Sequence, residues 1–169
     1  MERLEEKVDK TDRTAGRVVD KEALLANRRI FWIEDDVDII GPVVRPLQDA
    51  GCSFVVYGRR VDALTENAIQ LIKDGDLMLV DPLIPDGASK GDGDDFPGLT
   101  LLRDLREKGV ETSVIIFTAS NVSRVRDGMQ VRFLDDIRII RKPILPSQLK
   151  TSITDFFAER ASRELQESK

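Results

Sequence analysis

Histidine is absent from this chain of 169 residues, and cysteine occurs once, as Cys52. Without histidine, the chain cannot form histidine-ligated zinc sites or the Ser–His and Cys–His pairs used in nucleophilic catalysis. A single cysteine cannot close an internal disulfide, and such usage is typical of a reducing compartment. We therefore expect a cytoplasmic protein in which Cys52 is a small buried apolar residue.

Long apolar runs are also absent. Charged residues follow Met1 where a signal peptide would be apolar, and no run approaches the length that crosses a bilayer. The net charge of −5 argues against non-specific binding of nucleic acid. One arginine-rich region is interleaved with aspartates, which indicates a solvated mixed face; its basic residues are Arg124, Arg126, Arg132, Arg138 and Arg141. We predict neither a membrane nor a nucleic acid as partner.

Apolar residues make up 41% of the chain, enough for one well-packed domain. From Arg29 onwards, short apolar runs alternate with segments of helical periodicity. The runs are "IFWI", "SFVVYG", "DLMLVD", "TSVIIFTAS" and "IRIIRK", and the helical segments are 38–50, 62–74, 98–108, 121–130 and 146–166. Strands that are apolar on both faces and alternate with helices are typical of a parallel sheet covered on both sides. The sequence predicts an α/β fold, a doubly wound five-stranded parallel sheet.

Composition divides the chain into two parts. Residues 1–27 are an N-terminal charged extension that could be helical, and residues 28–169 form the domain. The Gly/Asp-rich segment "PDGASKGDGDDFPG", residues 85–98, is longer than most strand-to-helix connections, and we expect a mobile, solvated excursion there. Three glycines follow helical segments, where a left-handed residue commonly ends a helix: Gly51, Gly75 and Gly109.

Polar residues stand at the carboxyl ends of four of the runs, the sheet edge at which open α/β folds bind ligands. Glu34 and Asp35 follow the first run, Asp81 ends the third, Thr118 lies near the end of the fourth, and Lys142 ends the fifth. If the first and third strands are neighbours, three carboxylates meet at one edge. Two such charges about 5 Å apart repel by about 3 kcal/mol at an effective dielectric constant near 20, so a cation is required.

Oxygen ligands without histidine or cysteine favour a hard cation, and a site with few carboxylates suits Mg²⁺ with its retained waters. The ammonium of Lys142 and the hydroxyl of Thr118 could hold the oxygens of an incoming anion. A carboxylate, Mg²⁺, a lysine and a hydroxyl together are suited to phosphoryl transfer, with Asp81 as the nucleophile.

The ordered set of motifs "IFWIEDDVDIIGPVVRPLQDAG", "DLMLVDPLIPDG", "VIIFTAS" and "RKP" resembles the receiver domain of bacterial two-component response regulators, of the stand-alone chemotaxis type. The resemblance covers roughly residues 28–160 and implies the flavodoxin-like (βα)5 receiver fold. It also implies that Asp81 is the phosphoacceptor and that Mg²⁺ is bound by Glu34, Asp35, Asp81 and the backbone carbonyl of Leu83. Thr118 and Lys142 would then contact the phosphoryl group, and the peptide bond before Pro143 would be cis.

The same resemblance implies a signalling role. A sensor histidine kinase or a phosphotransfer protein would phosphorylate the chain, which would then bind a downstream protein target, and a homodimer is a further option. The chain would catalyse its own phosphorylation and dephosphorylation but no turnover of external substrates. Ile139 occupies the place of the family's aromatic switch residue, so the signal could leave by another route.

Two other functions are compatible with parts of the sequence. The first is a pseudo-receiver, in which the same fold serves as a protein-interaction or dimerisation module without phosphorylation; Ile139 and the long loop favour it. The second is a Mg²⁺-dependent phosphatase similar to the haloacid dehalogenases. Those enzymes carry a second Asp two residues after the nucleophile, where this chain has Leu83, which argues against it.

Overall fold

The computed structural model describes residues 20–85 and 94–168. Most of the predicted N-terminal extension and residues 86–93 of the Asp-rich loop lie outside the described residues, so the mobility expected of that loop stays a prediction. Within the described ranges, no helix is both long and apolar enough to cross a membrane.

Among residues 20–85 and 94–168, five parallel strands form one sheet in the order β2-β1-β3-β4-β5. The strands are β1 Arg29–Ile33, β2 Ser53–Tyr57, β3 Leu77–Val80, β4 Val114–Thr118 and β5 Arg138–Arg141. The prediction of a doubly wound five-stranded α/β fold is therefore confirmed. The order reverses between β1 and β3, which places a crevice at their carboxyl ends.

In the described part of the chain, six helices connect and cover the strands: α1 Val37–Asp49, α2 Arg60–Ala63, α3 Glu66–Lys73, α4 Pro97–Glu107, α5 Val122–Gln130 and α6 Pro146–Glu167. The single helix predicted over 62–74 is wrong, because α2 and α3 are separate. Thr65 caps the second of them, since its side-chain oxygen accepts a hydrogen bond from the Ala68 N–H at 3.2 Å. A threonine in this capping conformation begins a new helix instead of continuing the previous one.

The sheet separates two apolar layers. Phe31 and Met78 belong to the layer shared with α3, α4 and α5, whereas Trp32 and Leu79 belong to the layer shared with α1 and α6. Trp32 is fully buried, and its ring packs edge-on against that of Phe117 with the ring centres 5.1 Å apart. These alternating faces follow from the two-residue period of a strand and place helices on both sides of the sheet.

The residues before β1 also pack onto the domain. Leu25 is fully buried in the layer of α1 and α6, and the Asn27 N–H donates to the Gly51 carbonyl at 3.1 Å. Cys52 is buried beside them as expected, and burial raises the pKa of its thiol to about 11. Leu25 and Asn27, which precede the predicted boundary at residue 28, are therefore part of the packed unit.

Helix ends follow the glycine pattern in part. Gly51 and Gly109 adopt left-handed φ angles of 98° and 75°, as predicted. The prediction is wrong for Gly75, whose φ is not positive; a Cβ there would overlap the Phe31 ring and lie 2.7 Å from its Cδ2 atom. Gly75 is thus needed for close packing against β1, not for a left-handed turn.

The end of α5 uses the same left-handed turn without glycine. The Phe133 N–H donates to the Gln130 carbonyl at 3.1 Å and the Leu134 N–H donates to the Met129 carbonyl at 3.0 Å, which are the two bonds of a Schellman motif. Phe133 occupies the left-handed position with a φ of 57°, and 90% of its surface is exposed.

The loop before α4 is fixed at its end by Asp94. Its carboxylate accepts hydrogen bonds from the Thr100 hydroxyl, from the Phe96 N–H at 2.9 Å and from the Arg132 guanidinium at 2.6 Å. Burial alone would raise the pKa of Asp94, but these three donors outweigh it and lower the pKa below its ordinary value. The carboxylate therefore ties the start of α4 to the turn after α5.

Replacing Phe133 with glycine should stabilise the domain by about 1 kcal/mol, because glycine removes the left-handed strain and little packing is lost. Phe133→Ala is the matched control, since it removes the same ring and keeps the strained Cβ. Chemical denaturation should show a higher free energy of unfolding for Phe133→Gly but not for Phe133→Ala. An equal increase for Phe133→Ala would mean that exposure of the ring, and not backbone strain, destabilises the wild type.

Asp94→Asn should destabilise the domain by about 1–3 kcal/mol at pH 7, because a charged acceptor of three hydrogen bonds is lost. A lowered pKa in the folded state gives stability that is present above the unfolded-state value near 4 and lost as pH falls through the folded-state value. The difference between wild type and variant should accordingly shrink below about pH 4 in urea denaturation. Asp95→Asn serves as control, because its carboxylate is exposed and makes an ion pair with Arg124 at 3.7 Å. An equal loss in the control would contradict the assignment.

Candidate functional site

The carboxyl edge of the sheet brings three acidic side chains together. Strands β1 and β3 are paired with Ile33 opposite Val80, so the residues that follow them emerge side by side. One carboxylate oxygen from each of Glu34, Asp35 and Asp81 lies within 4.8 Å of the others. The predicted adjacency of the first and third strands is therefore confirmed, and with it the predicted crowding of negative charge.

The three carboxylates differ in their exposure. Only 1% of Glu34 and 8% of Asp81 is accessible, whereas Asp35 is exposed. Asp36 is outside this set; its backbone N–H donates to Glu34 Oε1 at 3.3 Å. The site thus has two buried acids and one at the surface, an arrangement that is open to solvent on one side.

Lys142 supplies the positive charge at the site. It follows β5, and its side chain reaches past β4 with Nζ 5.3 Å from the centre of the Phe117 ring. Nζ donates hydrogen bonds to Asp81 Oδ2 at 2.7 Å and to Glu34 Oε2. Its side chain is 13% exposed, so this ion triad lies largely out of water. The peptide bond that joins Lys142 to Pro143 is cis, as predicted.

Burial and charge act against each other in this triad. Burial raises the pKa of Glu34, and the hydrogen bond and charge of Lys142 compensate in part. Burial would lower the pKa of Lys142, but its bonds to Asp81 and Glu34 outweigh that effect and raise the pKa above the ordinary value. Lys142 is therefore an ammonium ion at neutral pH, and an added cation beside Glu34 would favour the ionised carboxylate.

The second oxygen of Asp81 is also engaged. The Leu83 N–H donates to Asp81 Oδ1 at 2.8 Å, and the backbone N–H of Asp81 donates to the Ile33 carbonyl at 3.0 Å. These bonds, with that of Lys142, set the direction of the carboxylate. Leu83 therefore does contact Asp81, through its N–H, whereas metal binding by its carbonyl stays a prediction.

Thr118 lies at the end of β4 with no exposed surface. Its hydroxyl oxygen accepts a hydrogen bond from the Ser120 N–H at 2.9 Å, and its carbonyl accepts one from the Lys142 N–H at 2.8 Å. The backbones of Thr118 and Lys142 are thus adjacent at the site, while the Thr118 hydroxyl is bound to the loop after β4. Its contact with a phosphoryl group stays a prediction.

Two residues at the site have no signal in the sequence. Phe117, whose ring supports Lys142, is one apolar residue in an apolar run. Gly98, in the first turn of α4, packs on the backbone of Asp81 and Pro82, and its N–H donates to the Pro82 carbonyl at 2.9 Å. Both contacts depend on how distant segments meet. Ile139 is half-buried and packs on the layer of α3, α4 and α5, as a core residue would.

The donor set fits a hard divalent cation. All three acidic groups offer oxygen, two of them are shielded from water, and the exposed side of Asp35 leaves room for bound waters. Mg²⁺ prefers this combination of few carboxylates and retained waters. The residues at this edge therefore match the chemistry of Mg²⁺ better than that of zinc, which prefers nitrogen and sulfur ligands.

No protein-family model matches the sequence, and no curated protein sequence matches it. Solved structures do match the fold. A signal receiver domain from Vibrio parahaemolyticus is 22% identical with a TM-score of 0.61, and the alignment covers 83% of this chain and 98% of that one. A CheY-like response regulator receiver domain from Methanospirillum hungatei is 18% identical with a TM-score of 0.60, covering 82% and 99% of the two chains. The BeF3-activated N-terminal receiver domain of RstA from Klebsiella pneumoniae is 22% identical with a TM-score of 0.58, covering 77% and 98%. The chain therefore has the fold of a response regulator receiver domain.

Proposed function

We propose that this chain is a phosphoacceptor receiver domain of a two-component or phosphorelay system, in which Mg²⁺-dependent phosphorylation of Asp81 switches a partner-binding surface. The observation that carries this proposal is the convergence of Glu34, Asp35 and Asp81 with the ammonium of Lys142. A structural ion pair requires one carboxylate for one lysine, and this edge collects an excess of negative charge.

Glu34, Asp35, Asp81 and the carbonyl of Leu83 would hold the metal ion. When bound, Mg²⁺ neutralises charge that develops on the transferring phosphoryl group and its neighbours. The protein's own part is to fix the direction of the Asp81 carboxylate, through the Leu83 N–H on one oxygen and Lys142 on the other.

In the transfer, a carboxylate oxygen of Asp81 forms a bond to phosphorus. The bond between phosphorus and the donor breaks, and the donor leaves with that electron pair. The donor is the phosphorylated imidazole of a sensor histidine kinase or phosphotransfer protein, or a small acyl phosphate. The Lys142 ammonium, which already donates a hydrogen bond to Asp81 Oδ2, can then donate to an oxygen of the new phosphoryl group.

The switch follows from the added charge. A phosphoryl group adds a charge of about −1.5 to −2 at neutral pH. This charge attracts Lys142, and the phosphoryl oxygens can accept a hydrogen bond from the Thr118 hydroxyl. For that contact the hydroxyl turns towards the phosphoryl group and its bond from the Ser120 N–H is weakened, which changes the loop between β4 and α5. The downstream protein target, or a second copy of the chain, would bind the resulting surface.

The pseudo-receiver is the alternative, and one observation favours it. Lys142 already bonds both buried carboxylates, so the edge is partly neutralised without a metal ion. A protein that binds partners through this fold without phosphorylation would need no more than that.

Incubation with acetyl phosphate and Mg²⁺ should add one phosphoryl group to the chain, as measured by intact mass spectrometry. The Asp81→Asn variant should stay unmodified, because its amide is not a nucleophile towards phosphorus. Chelation with EDTA should abolish the adduct in the wild type. A wild type that gains no phosphoryl group, and binds no beryllofluoride with Mg²⁺, would support the pseudo-receiver instead.

A further inference from the structure

The first turn of α4 is in direct contact with the backbone of the proposed phosphoacceptor. The Gly98 N–H donates to the Pro82 carbonyl at 2.9 Å. A Cβ on Gly98 would overlap the carbonyl oxygen of Asp81 and lie 2.8 Å from the Cα of Pro82 and 3.0 Å from the carbonyl carbon of Asp81. These are backbone atoms, which cannot rotate out of the way as the end of a side chain can.

The other side of this helical turn is fixed. Phe96 is buried against Gly128 of α5, where a Cβ would lie 2.7 Å from the Phe96 ring. Asp94 joins Thr100 of α4 to Arg132 after α5, and Leu99 is fully buried in the layer below. These contacts fix the start of α4 on the side away from Asp81. A side chain at position 98 would therefore displace the Asp81–Pro82 peptide and not α4.

The Asp81–Pro82 peptide sets the direction of the reacting group. The carbonyl of Asp81 accepts a hydrogen bond from the Ile84 N–H at 3.3 Å. Leu83, which follows Pro82, donates its N–H to Asp81 Oδ1 at 2.8 Å. Rotation of this peptide would move both the Asp81 Cα and the Leu83 N–H that orients the carboxylate. A displacement of about 1 Å at a reacting atom can slow a reaction about 100-fold.

We infer that Gly98 is a positioning residue for phosphoryl transfer: the absence of its side chain lets α4 support the Asp81–Pro82 peptide in the orientation that transfer requires. This inference rests on the proposed function of Asp81. It assigns to α4 a role in the geometry of the nucleophile in addition to its role in the core.

The test compares Gly98→Ala with Gly41→Ala. Both change a helical glycine to alanine, and a Cβ on Gly41 would meet nothing within 4 Å. We expect Gly41→Ala to phosphorylate at the wild-type rate with acetyl phosphate and saturating Mg²⁺. Gly98→Ala should remain folded by circular dichroism and react about 10- to 100-fold more slowly. Gly98→Ala reacting within twofold of Gly41→Ala would overturn the inference.

A second pair of variants separates positioning from a loss of folding. Adding Asp94→Asn to Gly98→Ala loosens the start of α4, so α4 can yield in place of Asp81, and part of the rate should return although the thermal midpoint falls further. A rate that falls with stability in the double variant would contradict positioning. If Gly98→Ala does not fold, Gly128→Ala replaces it, because a Cβ at Gly128 would lie 2.7 Å from the ring of the buried Phe96 and would move the start of α4 relative to the Asp81–Pro82 peptide. We expect several-fold slower phosphorylation, and an unchanged rate would overturn the inference. Absence of phosphorylation in the wild type would instead refute the proposed function itself.

Discussion

The ionic contact of Lys142 with Glu34 and Asp81 is the interaction on which the arrangement of this sheet edge depends. It joins the ends of β1, β3 and β5 across β4, so segments more than 100 residues apart meet at one ammonium group. Removing one member of a buried ion pair leaves an uncompensated charge and costs about 3–5 kcal/mol, so the triad constrains the loops that carry it. Among the described residues, the ion pairs of Lys142 are with Glu34 and Asp81, and the exposed Asp35 adds a further negative charge.

The packing behind the edge serves the same geometry. Phe117 supports the Lys142 side chain from β4, and Gly98 lets α4 lie against the Asp81 backbone. The Asp94 network links that helix to the turn after α5. The backbone of Asp81 therefore contacts α4 directly and is linked through α4 and Asp94 to the end of α5. A change in charge at Asp81 can affect both helices, and neither contact requires an aromatic residue on β5.

The sequence was sufficient for the sheet because five apolar runs, each bounded by helical periodicity, allow few other arrangements. It was sufficient for the charged edge because parallel strands place their following residues together. It was not sufficient at two local exceptions: Thr65 caps a new helix inside a segment of continuous helical periodicity, and Phe133 adopts the left-handed position in which glycine is the common residue. Nor could it show that Phe117 lies under Lys142 or that Gly98 lies on Asp81, since those contacts join segments whose separation along the chain carries no signal.

Binding of Mg²⁺ to the acidic edge can be measured directly by isothermal titration calorimetry on the wild type, Asp35→Asn and Asp36→Asn. The two variants remove one charge each from neighbouring exposed residues, and only Asp35 shares the cluster with Glu34 and Asp81. We expect one Mg²⁺ site in the wild type, retained in Asp36→Asn and weakened at least about tenfold, or ~1.4 kcal/mol, in Asp35→Asn. No Mg²⁺ binding by the wild type, or equal weakening in both variants, would contradict a metal site built on Glu34, Asp35 and Asp81.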